Sequence, residues 1–199
     1  MADDPTSERQ EGRGRDSRGV RGNLPTAVRG ELRAAGRDDG TDGPTPSVEV
    51  SFASATDVPA IRRIEVASFP NPGEVFNARQ IRYLIGRATV LVARCPGGAV
   101  LGWAAGLVRR GPSGCTGRVY ALAVAPEGRG QGVGRALTER LIQLLRGRGA
   151  GRIFLEVRAD NHAAIGLYRM LGFVDYLSLP DYYQPGVHGL RMVLEPPAA

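Results

Sequence analysis

A glycine-rich turn set between a strand pattern and a helix pattern constrains this chain more than any other segment. Residues 124–137 read VAPEGRGQGVGRAL. Leu122-Ala123-Val124 close an apolar strand pattern, Pro126 stops it, and Arg129-Gly130-Gln131-Gly132-Val133-Gly134 opens a helix. Glycines remove Cβ atoms, so backbone N–H groups can approach an anion closely. The helix amino terminus adds unpaired donors and a partial positive charge. Arg129 and Arg135 flank the turn, and a pyrophosphate is its natural guest. The spacing is shorter than the Gly-x-Gly-x-x-Gly of dinucleotide folds and lies deep in the chain. A P-loop needs a lysine, and all 26 basic residues here are arginine. Taken alone, the segment also reads as a plain glycine-rich connection ahead of a helix.

The flanking sequence places this turn inside one mixed α/β domain. Val48, Val50 and Phe52 alternate with polar residues as a first strand. Thr56-Asp57 then caps a helix carrying Val58, Ile61, Ile64 or Glu65, and Ser68-Phe69. A second helix is marked by Ile81, Leu84 and Ile85. Residues 88–94 and 99–109 are strands joined by the hairpin signal Cys95-Pro96-Gly97-Gly98. A Gly/Ser loop leads to a buried strand over 118–124. The helix after the turn carries Val133, Leu137, Leu141, Leu144 and Leu145 on one stripe. Residues 152–157 form another buried strand, Asn161 caps a helix ending at Leu171-Gly172, and strands over 174–177 and 190–194 finish the pattern. The expected architecture is a single α/β domain over residues 48–196. Its central sheet is mixed and mostly antiparallel, and helices flank it. Residues 1–47 are rich in Gly, Arg and Asp and interrupted by Gly22, Pro25 and Gly30, which predicts a disordered extension.

A second segment, LEVRADNHAAIGLYRMLGF over residues 155–173, separates the readings of the turn. Arg129-Gly130-Gln131-Gly132-Val133-Gly134 resembles the Gln/Arg-x-x-Gly-x-Gly/Ala pyrophosphate signature of the GNAT superfamily of acetyl-CoA-dependent N-acetyltransferases. The 155–173 block is similar to its ribosomal-protein alanine N-acetyltransferase (RimI) type. Both segments stand in the family's order, and the resemblance covers roughly residues 48–194.

The resemblance implies acetyl transfer from acetyl-CoA to a primary amine by direct attack in a ternary complex, with no metal. It implies that Leu122, Ala123 and Val124 pair through their backbone with the pantetheine arm and that a strand bulge aims an N–H at the thioester oxygen. Arg129, Gly130, Gln131, Gly132, Val133, Gly134 and Arg135 would hold the pyrophosphate, and Asn161 would touch the cofactor. Glu156 would be the general base and Tyr168 the general acid.

The residues themselves support these roles to different degrees. Alternation puts Glu156 on the opposite face from Leu155 and Val157, where a carboxylate can take a proton from an ammonium. The competing reading is an ion pair with Arg158 or Arg152. Tyr168 stands two helical turns after Asn161 and carries a phenolic proton for a departing thiolate, or else it is a core aromatic. Trp103 reads as core or cleft wall, and His162 as solvent-facing.

Substrate and partners follow from charge and chemistry. A peptide α-amine of pKa about 8 is already partly neutral at pH 7, whereas a lysine amine lies near 10.4. The expected acceptor is therefore a protein or peptide α-amine, with a small-molecule amine as the alternative. A non-catalytic acetyl-CoA-sensing module is the alternative from another class. By similarity, residues 65–76 and Tyr182-Tyr183-Gln184-Pro185-Gly186 would border the acceptor. The family tends to place an acidic pair before the last apolar run. This chain has His188-Gly189 there, with Glu65, Glu74 and Asp181 as the available acids.

Residues 1–47 have a net charge of −1 and residues 48–199 a net of +7. The basic excess thus sits on the patterned body. A bias toward arginine and a polyanionic cofactor explain it, and no basic-aromatic interleaving points to nucleic acid. Only Cys95 and Cys115 occur, without ligand spacing, so neither structural zinc nor a disulfide framework is expected. No apolar run reaches the ~18 residues of a membrane span. A cytoplasmic location, as monomer or homodimer, is the resulting expectation.

Overall fold

The computed structural model describes residues 48–69, 72–112 and 114–197; the extension expected over residues 1–47 lies outside them. Seven strands form one sheet. In chain order the elements are β1 (Glu49–Phe52), α1 (Val58–Ser68), α2 (Ala78–Arg87), β2 (Thr89–Arg94), β3 (Val100–Gly111), β4 (Gly114–Val124), α3 (Val133–Gly147), β5 (Ala150–Arg158), α4 (His162–Met170), β6 (Val174–Gln184) and β7 (Val187–Leu194). The sheet order is β1-β2-β3-β4-β5-β7-β6. Every pairing is antiparallel except that of β4 with β5. This is the mixed, mostly antiparallel sheet that the alternating patterns imply. No helix among the described residues is long and apolar enough to cross a membrane.

The two faces of the sheet carry separate cores. On one, the stripe Val133, Leu137, Leu141 and Leu145 of α3 packs with Leu122, Leu155, Val157 and the α4 residues Ile165, Leu167 and Tyr168. On the other, Val58, Ile61 and Ile64 of α1 and Ile81 and Leu84 of α2 cover Val92, Trp103, Ala105 and Ala123. The i, i+3, i+4 spacing read from the sequence is the spacing that meets a flat sheet face. Leu144, placed on the α3 stripe, is only half-buried.

Local signals start the helices, and Asp57 stands at the amino-terminal cap of α1 as the sequence implies. α1 is entered through a short 3-10 turn whose cap is Ser54, with Asp57 as the reciprocal partner: the Ser54 N–H donates to Asp57 Oδ2 at 2.8 Å. Asp57 also receives Arg94 of β2 at 2.5 Å. Burial opposes the charge on Asp57, but the bonds from Ser54 and Arg94 outweigh it and hold the carboxyl below its usual range. Asn77 caps α2 by accepting from Gln80 N at 3.0 Å.

Two strands extend past their sequence-based limits. Residues 114–117 read as loop, yet they pair with β3 and β5, because ladder hydrogen bonds override their weak propensity. β6 runs on to Gln184 as an exposed edge strand containing Pro180, so it shows no buried alternation.

The start of α3 lies directly against β3. A Cβ on Gly102 would stand 2.9 Å from Val133 Cγ1, 3.0 Å from Leu137 Cδ1 and 3.1 Å from the Ala123 carbonyl oxygen. The backbone atom cannot yield. Gly102→Ala is therefore expected to cost about 1–3 kcal/mol through overpacking, read as a lowered urea midpoint at unchanged slope.

Candidate functional site

The parallel strands β4 and β5 do not stay together. Their register runs from Cys115–Ala150 to Arg118–Phe154 and ends there. Residues 119–124 continue along β3, and residues 155–158 continue along β7. A slot therefore opens inside the sheet between two buried strand ends. Ala105 lies opposite Ala121 and Gly106 opposite Val119, so Tyr120 is an extra residue that bulges β4 just before Leu122, Ala123 and Val124.

The glycine turn hangs at the end of that slot. Gly130 and Gly132 have φ of 74° and 73°, the left-handed region that other residues enter at a cost. Gly132 is the amino-terminal cap of α3 and supplies no side chain, so the helix's first N–H groups have no side-chain acceptor. Val133 and Gly134 are buried behind them. Arg129 reaches back to the Val124 carbonyl at 3.4 Å, and Gln131 donates to the Glu127 carbonyl at 2.6 Å. Arg135 is exposed and pairs with Glu139 at 2.8 Å, one turn along the helix.

Across the slot, Asn161 caps α4 by accepting from Ala164 N at 3.1 Å. Tyr168 is completely buried and meets Phe173 edge-on at 5.7 Å. Its hydroxyl has no hydrogen-bond partner among the described residues. Burial first, and Tyr183 second, push this phenol well above its ordinary pKa. It stays protonated, the form that donates.

Glu156 lies on the opposite face. Leu155 and Val157 point into the α3/α4 core with Tyr168, and Glu156 points to the other side of the sheet. It is 2% exposed. Its partners are neither Arg158 nor Arg152, which bind Asp160 and Glu195. Instead Arg118 Nη2 donates to Oε2 at 2.5 Å and Arg191 Nε to Oε1 at 2.8 Å. Arg191 stands directly opposite Glu156 in the β5–β7 register. The sequence shows each residue, but only the cross-strand register brings them together.

The acids suggested for an ammonium partner fare differently. Glu65 is buried, accepting from Trp103 Nε1 at 3.0 Å and from Phe76 N at 2.9 Å. It anchors the segment after α1, and Trp103 is core. Nothing in the sequence pattern singled out this bond, because Glu65 occupies an apolar helix position. Asp181 is exposed, has φ 51° and accepts from Gly186 N at 2.8 Å beside His188. Tyr182 and Tyr183 pack edge-on at 5.2 Å, while Phe69 and Phe76 are buried. His162 is exposed.

Comparison with known proteins adds three findings. Residues 58–173 match the profile "Acetyltransferase (GNAT) family". Among curated relatives, N-alpha-acetyltransferase 30 of Schizosaccharomyces pombe is 40% identical over 80 residues, covering 40% of this chain and 53% of that protein. Mycothiol acetyltransferase of Paenarthrobacter aurescens is 47% identical over 66 residues, covering 33% of this chain and 20% of that protein. The chain thus spans about half or less of these relatives. Among solved structures, the ribosomal-protein-S18-alanine N-acetyltransferase from Escherichia coli superposes with a TM-score of 0.65 at 29% identity, covering 77% of this chain and 96% of that one.

Two of the buried titratable groups, Tyr168 and Glu156, predict opposite stability effects. Tyr168→Phe removes a hydroxyl that has no partner, so thermal unfolding is expected at the same or a higher temperature. Glu156→Gln weakens two charged hydrogen bonds and should cost about 1.5–3 kcal/mol.

Proposed function

The chain belongs to the Acetyltransferase (GNAT) family, and from that premise we propose that it transfers the acetyl group of acetyl-CoA to the α-amine of a protein or peptide. The observation that carries the reading is the slot between β4 and β5. Its β4 edge leads into the glycine turn, and its β5 edge carries Leu155 and Val157 on the Tyr168 face and Glu156 on the other. The names of the N-alpha-acetyltransferase and ribosomal-protein relatives support the α-amine as acceptor. We assign the activity to residues 48–196.

In this reading acetyl-CoA lies in the slot. Its pyrophosphate meets the free N–H groups of residues 132–135, with Arg129 and Arg135 beside them and Asn161 at the opposite wall. Its pantetheine amides pair with the unladdered flank of residues 122–124, where β5 has withdrawn. The neutral amine attacks the thioester carbon directly. The C–N bond forms, and a backbone N–H at the end of β4 stabilises the oxyanion. The C–S bond then breaks, the departing thiolate takes the Tyr168 proton, and the second proton, left on the new amide nitrogen, returns to the Tyr168 oxygen. The proton lost by the ammonium goes to Glu156, after Arg118 or Arg191 yields one carboxylate oxygen. Acid and base thus act from opposite faces of the sheet, which keeps donor thiol and incoming amine apart until the slot brings them into line.

Release of free thiol from acetyl-CoA, across short peptides and small amines, tests the proposal. Tyr168→Phe is expected to lower kcat by about 10²-fold or more with little change in the KM for acetyl-CoA. Loss of turnover in neither Tyr168→Phe nor Glu156→Gln would remove their roles. Acetyl-CoA binding without turnover on any acceptor would favour a sensing module. The pH profile separates acceptors: kcat/KM for an α-amine should level off above pH about 8, whereas a lysine side chain would drive it upward to about 10.

A further inference from the structure

The sheet face opposite α3 and α4 holds a cleft of about 300 Å³ whose lining includes Arg109, Arg118, Phe154, Glu156, Tyr176 and Arg191. Its charge does not balance. Three guanidiniums face one carboxylate, a formal excess of two positive charges. Glu156 accepts from Arg118 and from Arg191, and Arg109 has no carboxylate partner among the described residues. Arg118 Nε is buried and has no acceptor among the described residues. A desolvated cationic donor without an acceptor is costly, and like charges drawn together raise that cost. The three arginines come from β3, β4 and β7, so it is the register of the sheet that assembles them. The Phe154 and Tyr176 rings, 5.5 Å apart and edge-to-face, close the cleft with an apolar wall.

We propose that this cleft binds a carboxylate carried by the acceptor itself, close to the amine that is acetylated. The proposal rests on the acetyl-transfer reading, because Glu156 is what ties the cleft to the amine. Arg109 lies two residues beyond Leu107, the residue opposite Arg118, and so stands roughly 7 Å along the strand from the arginine that touches Glu156. That is the reach between an amine and a carboxylate within one or two residues. The planar fork of a guanidinium matches a carboxylate with paired N–H bonds, and Arg109 and the buried Arg118 Nε are unused donors. An arriving carboxylate also competes with Glu156 for Arg118 and Arg191. It thereby frees a Glu156 oxygen to take the ammonium proton, so an acidic acceptor raises kcat as well as lowering KM. Neutral acceptors leave Glu156 clamped, and basic ones are repelled. Two sources share this chemistry: an Asp or Glu side chain at the start of a peptide, and the α-carboxylate of a small amino acid or dipeptide.

The test uses the full chain with acetyl-CoA. Peptides with a free amino terminus and Asp, Ala or Arg at the second position are compared with glutamate, a dipeptide, and the amides of both. The expected result is kcat/KM about tenfold or more higher for acceptors bearing the nearby carboxylate. Arg109→Gln, an exposed position, should abolish the difference between acidic and neutral acceptors. A preference confined to acidic side chains, or one confined to free α-carboxylates, identifies the source, and either supports the cleft. Equal rates for acidic, neutral and basic acceptors, or a preference surviving in Arg109→Gln, overturns it. Calorimetric binding of the Asp and Ala peptides to the CoA-loaded protein reads the cleft without turnover. Tighter binding of the Asp peptide that is lost in Arg109→Gln supports the cleft even if no acceptor is acetylated, an outcome that would sink only the transfer reading. Equal binding of the two peptides overturns the cleft.

Discussion

Two parallel neighbours that part company govern this structure. Elsewhere in the sheet, ladder hydrogen bonds run on between adjacent strands; between β4 and β5 they end at Arg118 and Phe154. Beyond that point both strand ends meet the α3/α4 core on one face; on the other, α1 and α2 cover the β4 end, while the β5 end carries Glu156 into the arginine cleft. The parting of the ladder thus leaves an open slot between two strand edges. Around it the other parts take their places. The Tyr120 bulge turns β4 toward the slot, and Gly102 lets α3 sit close enough to hold the glycine turn at its mouth.

The slot also divides the electrostatics. On the α3/α4 side Tyr168 sits in an apolar core with no partner for its hydroxyl, and burial keeps it neutral. On the other side Glu156 is equally buried but meets two guanidiniums, one on each oxygen. One sheet, two faces and two environments hold one titratable group neutral and the other ion-paired. Part of the arginine excess of the patterned body lies here. Arg118 and Arg191 are bound into the site, and Arg109 completes its positive rim.

Much of this fold was legible because its signals are local. The stripe Val133, Leu137, Leu141 and Leu145 could only be a helix on a flat apolar face, and it is. Asn161 and Gly172 bracket α4 as cap and positive-φ stop. Less legible were elements whose evidence lies in a neighbour. Residues 114–117 are strand because β3 and β5 bind them, and β6 is strand because β7 does.

By itself the sequence determined the helices and the cores of the strands, the glycine turn, the family resemblance and Glu156 and Tyr168 as candidates, because each is written within a few consecutive residues. Only the tertiary structure decided what those two residues face. Glu156 is held by Arg118 and Arg191 rather than by Arg152 or Arg158, and Glu65 is spent on Trp103 and Phe76. The physical reason is register: side chains on different strands meet according to how the strands slide past one another, and a shift of one residue would turn each to the other face.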